Sequence, residues 1–316
     1  MITRRTLLRT GVALAATGAG LTAAAPPAAS GPSGRMRIAT GEESGFYLAF
    51  GQLLATELHT AYPGLDCVAM PTPASVANLI LLEAGQAELA ITLSDIAEDA
   101  LAGRDPFPRP VPLRALGRVY ENYLQLAVRA DSPVTALPEL AGRSVSLGAS
   151  GSGGAVLGER LVRGLRDVSV RHLSMTDAAR ALAARELDAM LVSGGVPLPV
   201  LSVLDNQIGI RLLPLTPSLP ALRTTVPGSE VVRLPAGAYR HGGEVDTIGM
   251  ANLLVCRPEL PAEVASDVTQ LLVRRAGQLV PAQAVGTQFL DVRTLIGTGD
   301  VPLHPGAANA YRALHG

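Results

Sequence analysis

The sequence predicts an α/β fold of two similar lobes, each a mostly parallel sheet flanked by helices, with a cleft between them. Three observations lead there. Beyond residue 35, short apolar runs alternate with segments of helical periodicity, the pattern of parallel strands joined by helices. That alternation runs twice in the same order. Serine and glycine recur, in both copies, where strand-like runs give way to helices.

The bulk numbers agree with two lobes. At 316 residues the chain exceeds the roughly 250–300 at which a single core stops growing. A hydrophobic fraction of 48% against 17% charged supplies apolar material for both. A formal net charge of -1 argues against nucleic acid, which asks for a basic face. Aromatic residues make up only 3%, with no Trp, so a site of stacked rings, as sugars use, is poorly supplied. The basic residues are all Arg, which reads as coding bias first.

The elements follow in order. Thr3-Arg4-Arg5-Thr6-Leu7-Leu8-Arg9 precedes an apolar, Ala/Gly-rich run over 11–25. Charge, a short apolar stretch and small residues describe an export signal, because a membrane span needs about 20 strongly apolar residues. The paired arginines resemble a twin-arginine signal; the alternative is an ordinary secretory signal that contains Arg-Arg. Cleavage is expected after Ala23-Ala24-Ala25 or after Ala28-Ala29-Ser30, with no cysteine nearby to carry a lipid. Residues 1–34 are thus read as signal and leader, and the mature chain as periplasmic or secreted.

Met36-Arg37-Ile38-Ala39-Thr40 reads as a strand, then a Gly/Ser loop, then a helix from Phe46 whose Phe46, Phe50, Leu54 and Leu58 share one face. Its counterpart is a strand over 144–148, the loop Ala149-Ser150-Gly151-Ser152-Gly153-Gly154, and a helix with Leu157, Leu161 and Leu165 on one face. The second units run from 67–70 into Ser75, and from 171–174 into Thr176, with Ser75 and Thr176 placed as N-caps. In the third units, 83–94 (EAGQAELAITLS) parallels 183–193 (AARELDAMLVS). Residues 124–129 form the natural outward crossing between lobes and 248–257 the return. A helix from Pro261 to Leu279 and the tail then pack on the first lobe, giving 35–125 plus 250–316 as lobe I and 126–249 as lobe II.

In open parallel sheets ligands bind beyond the carboxyl ends of the strands, and two such edges facing across a hinge make a cleft that closes. Helix N-termini expose unpaired N–H groups suited to carboxylates. The candidate ends lie at Ser44-Gly45, Ser75, Ser94, Ser152-Gly153, Thr176 and Ser193-Gly194-Gly195. Taken singly, each is equally a plain cap or turn; the case rests on their recurrence.

Other chemistries lack their parts. The Gly-rich loop has no glycine at 156, which breaks the dinucleotide fingerprint, and without Lys there is no phosphate-binding P-loop. It also misses the GxSxG elbow. Five scattered histidines offer neither HExxH nor a Ser-His-Asp triad, so neither a metal nor another cofactor is expected. Cys67 and Cys256 fall in apolar, strand-like runs and read as buried free thiols.

At this point the chain resembles the TAXI group of TRAP-transporter solute receptors over nearly all of its mature length. The matching segments begin with Ala39-Thr40-Gly41, Ser44-Gly45-Phe46-Tyr47, Ser75-Val76-Ala77-Asn78-Leu79 and Ser94-Asp95-Ile96-Ala97. They continue through Val145-Ser146-Leu147-Gly148, Gly151-Ser152-Gly153, Val192-Ser193-Gly194-Gly195-Val196-Pro197, 234–239, Thr247-Ile248-Gly249 and 303–307. The resemblance implies a type II periplasmic-binding-protein-like fold and a receptor with no catalytic residues. It also implies a carboxylate-bearing solute such as glutamate or another organic acid, and a TRAP membrane permease as partner. The other function class is an extracytoplasmic enzyme or sensory subunit on the same scaffold, although Ser94/Asp95, the one drawable catalytic pair, has no base beside it.

Departures from the group are informative. Glu42-Glu43 stands where it usually has small residues, and either points to solvent or holds a cationic group of the ligand. Leu93 replaces a common Gln. Arg118 stands where a small residue is usual and is expected to clamp a carboxylate; Tyr120 and Tyr239 are expected as walls with a polar tip. The candidate ligand-binding set is therefore Ser44, Tyr47, Ser75, Asn78, Ser94, Asp95, Arg118, Tyr120, Ser150, Ser152, Gly153, Ser193, Gly194 and Tyr239.

Overall fold

A computed structural model describes residues 31–43, 45–282, 284 and 292–315. The export signal and Ser44 lie outside the described residues. The first half runs β1 (Gly34–Ala39), α1 (Phe46–Ala61), β2 (Leu65–Met70), α2 (Ser75–Glu83), β3 (Leu89–Leu93) and α3 (Ser94–Ala102). A long strand, β4 (Arg114–Arg129), leads out of it. The second half repeats the order with β5 (Ser144–Ser146), α4 (Gly153–Val162), β6 (Ser169–Arg171), α5 (Met175–Ala183), β7 (Ala189–Gly194) and α6 (Pro199–Ile208). After β8 (Ile210–Leu213), α7 (Leu219–Leu222) and β9 (Glu230–Leu234), the strand β10 (Val245–Cys256) returns to the first half. The helices α8 (Ala262–Arg274), α9 (Val292–Leu295) and α10 (Pro305–His315) follow.

The sheet order is β2-β1-β3-β10-β4-β7-β5-β6. Each wing is parallel with the same internal order: β1 pairs with β2 and β3, and β5 with β6 and β7. The antiparallel strands β10 and β4 join them, β10 pairing with β3 and β4, and β4 with β7. The result is a curled α/β sheet flanked by helices, as the repeat predicts. The crossings are longer than the apolar runs at 124–129 and 248–257, because β4 carries Arg118, Glu121, Asn122 and Gln125 through the sheet on bonded partners.

One matched pair of contacts registers the duplication atom for atom. Glu88 accepts from the backbone N–H of Arg37 at 2.7 Å, while its own N–H donates to the Arg37 carbonyl. Asp188 accepts from the Ser144 N–H at 2.8 Å, and its N–H donates to the Ser144 carbonyl. The acidic residue before each third strand thus staples that strand to the first one of its wing, with charge-assisted bonds of about 1.5–3 kcal/mol apiece.

Apolar packing lies on both faces. Leu89 and Ile91 belong to one core and Ala90 to the other, and all of β3 is buried, as a strand covered on both sides must be. Phe46, Phe50, Leu54 and Leu58 of α1 are all buried along one face. In α4, Leu157 and Leu161 do the same, but the helix stops at Val162 and Leu165 falls beyond it. The C-terminal segment docks on β4: His304 N–H donates to the Ala115 carbonyl and the Tyr311 hydroxyl to the Leu116 carbonyl, both at 2.8 Å. Both thiols are free, Cys256 buried and Cys67 half-buried, and burial pushes each up to about 12.

Candidate functional site

The strands β1, β2, β5 and β6 lead into α1, α2, α4 and α5, and the N-termini of these four helices converge beside the ends of β3 and β7. Between them lies a cavity of about 60 Å³, lined by Glu42, Tyr47, Ser75, Asn122, Ser152, Ser193 and the glycines of the loops, with Phe46, Leu93, Leu147, Met175 and Leu191 as apolar walls. A wider hollow of about 640 Å³ adjoins it, sharing Glu42, Pro73 and Ala149.

The two halves touch across this cavity. The Ala77 N–H in the first turn of α2 donates to the Gly151 carbonyl at 3.0 Å. The Met175 N–H, at the start of α5, donates to Glu42 Oε2 at 2.8 Å. Behind the cavity, Arg160 of α4 reaches Asp95 at 3.4 Å and Asp99, both on α3. Burial pushes the Asp95 carboxyl up to about 7, against the pull of Arg160 and helped by Asp99. Burial likewise raises Glu42, opposed by the Met175 N–H, with Asp177 adding repulsion.

The hydroxyls differ in what they leave free. Ser152 caps α4 by accepting from the Ala155 N–H at 3.0 Å. The N–H groups of Gly153 and Gly154 precede the first intrahelical bond and face no acceptor among the described residues. Ser75 was expected as a cap but is the first helical residue of α2, after Ala74 at φ 97°. Its Oγ instead accepts from the Leu93 N–H at 3.1 Å and meets the Tyr47 hydroxyl at 3.2 Å. Tyr47 donates in turn to Asn252 Oδ1 at 2.6 Å, and burial pushes its phenol well above the usual range. Thr176 also gives up its expected role: Ser174 caps α5, accepting from the Asp177 N–H.

Of the sequence candidates, the structure brings together Tyr47, Ser75, Ser152, Gly153, Ser193 and Gly194 on the cavity wall. It places the others elsewhere. Asn78 is buried, donating to the Thr40 and Ile91 carbonyls at 2.5 and 2.7 Å, and so ties the residue after β1 to the middle of β3. Ser94 and Asp95 begin α3 and are covered. Arg118 is held by Glu121 on its own strand and does not reach the cavity. Tyr120 packs edge-on against Tyr47 with centroids 6.1 Å apart, one layer behind the wall. Tyr239 is buried, donating to Gln125 Oε1 at 2.5 Å and accepting from the Leu198 N–H at 2.9 Å. Ser150 is exposed at the loop tip.

Two polar lining residues were not among the candidates. Glu42 drew notice only as a departure in the first loop; it lines the cavity half-buried while Glu43 is exposed. Asn122 donates through Nδ2 to Ser193 Oγ at 3.2 Å, and its buried Oδ1 has no partner among the described residues. The available signal was a polar residue inside an apolar strand run. No cluster of His, Cys, Asp or Glu suited to a metal ion is present among the described residues, and no described helix is long and apolar enough to cross a membrane.

Residues 38–313 match the NMT1-like family. The chain belongs to the NMT1-like family. Among solved structures, this NMT1-like protein is similar in fold to a protein from Bordetella bronchiseptica RB50, with a TM-score of 0.51 at 16% identity over 88% of this chain and 81% of that one. The alkanesulfonate-binding protein SsuA from Xanthomonas axonopodis pv. citri, bound to MOPS, gives 0.47 at 18% identity over 90% and 85%. An ancestral arginine-binding protein bound to arginine gives 0.48 at 13% over 78% and 95%.

Proposed function

We propose that this NMT1-like protein is an extracytoplasmic solute receptor that traps a small polar, carboxylate-bearing molecule and delivers it to a membrane transporter. The observation that carries this reading is the cavity at the meeting of four helix N-termini from two duplicated halves, walled by serine hydroxyls and closed by bonds between the halves. The N–H pair of Gly153 and Gly154 and the hydroxyl of Ser152 suit a carboxylate; helix ends favour anions by about 0.3–1 kcal/mol each when exposed and more when buried. The halves act as lobes, 35–125 plus 250–316 and 126–249, and β4 and β10, which cross between them, are the hinge. Release and capture are then opening and closing, with no bond made or broken.

The ordered segments resembling the TAXI group support a TRAP-type permease as the membrane partner, and Arg4-Arg5 supports export by the twin-arginine route. The test is calorimetry and thermal unfolding of the exported form against amino acids, organic acids, sulfonates and sugars, with mass spectrometry of the recovered solute. Saturable binding of an unaltered solute is the expected result. Absence of any binding, or conversion of the solute, would overturn the proposal.

A further inference from the structure

We propose that Glu42 is a specificity-determining residue that receives a cationic nitrogen of the solute, so that the receptor selects zwitterions, amino acids above all, over plain carboxylate anions. This rests on the receptor reading above and narrows its substrate class.

Glu42 is the single charged side chain on the cavity wall among the described residues. The arginines nearest in sequence logic are already engaged, Arg118 by Glu121 and Arg160 by Asp95 and Asp99. A dicarboxylate entering this cavity would therefore meet a fixed carboxylate and no side-chain cation, and helix ends supply only about half a charge each. A zwitterion brings its own cation. Its carboxylate takes the Gly153–Gly154 end, and its ammonium takes the acceptors that line the same cavity.

Two such acceptors are present. Glu42 spends Oε2 on the Met175 N–H, which fixes the side chain across the cleft, and its other oxygen has no partner among the described residues. Asn122, only 4% exposed, lines the same cavity with Oδ1 unpartnered, its amide nitrogen committed to Ser193. A buried acceptor without a donor is costly, and an ammonium with three donors satisfies both oxygens. The Met175 bond also explains how a carboxylate is retained in a half-buried site: α5 presents its positive end to it.

The experiment compares each L-amino acid with its deaminated acid, for example L-glutamate with glutarate, by calorimetry on the wild type and on Glu42→Gln and Glu42→Ala. A glutamine at 42 can still accept from the Met175 N–H, so it removes the charge and keeps the bridge; alanine removes both. The inference expects an amino acid to bind about tenfold or more tightly than its deaminated partner, and Glu42→Gln to erase most of that margin. It is overturned, with the receptor reading intact, if the deaminated acid binds as tightly, if only solutes without a cationic nitrogen bind, or if Glu42→Gln keeps the wild-type margin while Glu42→Ala alone loses it. Failure of every solute class to bind would instead remove the receptor reading and the inference with it.

Discussion

Gly153→Ala separates closure from folding. A Cβ at this position, the first residue of α4, would lie 2.7 Å from Leu93 Cδ1, 2.8 Å from Ser75 Oγ and 3.0 Å from Ser75 Cβ. All three atoms belong to the opposite half, and ordinary carbon contacts sit near 3.5–4.0 Å. Ser75 cannot swing aside cheaply, because its Oγ holds the buried Leu93 N–H and stranding that donor costs about 1–3 kcal/mol. Overpacking a tight contact costs about the same. Opening the cleft relieves the overlap, and alanine suits a helix better than glycine by up to about 1 kcal/mol. The variant should therefore fold as well as the wild type, keep its melting temperature without solute, and bind about ten- to a hundredfold more weakly. Calorimetry gives the affinity, thermal unfolding the stability, and small-angle scattering the loss of solute-induced compaction. Affinity within twofold of wild type would refute the closed-cleft argument, as would a collapse in stability of the unliganded variant, since the clash would then lie within the resting fold.

Two further substitutions probe the same region. Ala74, at φ 97° and ψ -144°, holds a backbone conformation that glycine accepts far more readily; Ala74→Gly should raise stability by about 0.5–2 kcal/mol after glycine's larger unfolded-state entropy is deducted, and a lower denaturation midpoint would show that the position is not strained. The Asp95 carboxyl, raised from 3.8 to about 7, keeps in the folded state a proton that the unfolded chain releases, so its contribution to stability declines as pH rises through that window. Asp95→Asn should flatten the fall in melting temperature between about pH 5 and about pH 8 relative to wild type; parallel curves would contradict the assignment.

The sequence exposes the fold more fully than the site, for a physical reason visible in particular residues. Strands buried on both faces, such as β3 with Thr92 as its one polar residue, are largely apolar, and the helices that cover them carry an apolar stripe, so Leu89–Leu93 and Phe46–Leu58 are legible as patterns. Boundaries blur where a wing is short and solvated: β6 is Ser169–Arg171, exposed at all three residues, and precedes the stretch at 171–174 that the pattern favours. Of the serines expected at strand ends, Ser75, Ser152 and Ser193 line the cavity, whereas Ser94 is covered and Ser150 exposed. What pattern cannot supply is direction. Tyr47 and Tyr120 are both aromatic, buried and in mutual contact, yet only Tyr47 borders the cavity, since one leaves the first turn of α1 and the other the middle of β4.

The same limit explains Arg118, Asn78 and Glu42 together. Arg118 lies within β4, Asn78 within α2 and Glu42 in the first loop, and each has the chemistry to meet a solute. Arg118 is spent on Glu121 three residues away, and Asn78 on the carbonyls of Thr40, just past β1, and Ile91, within β3. Glu42 reaches across the cleft to a helix from the other half of the chain, 133 residues distant. Local sequence can announce the first of these bonds but not the others, because Asn78 lies 38 and 13 residues from its acceptors and the partner of Glu42 is fixed only by the duplication that brings α5 opposite the first loop. On the receptor reading proposed above, the residues that make one half unlike the other are where selectivity is to be sought, and Glu42, with the wing order and the acidic staples so closely matched, is the charged difference that reaches the cavity.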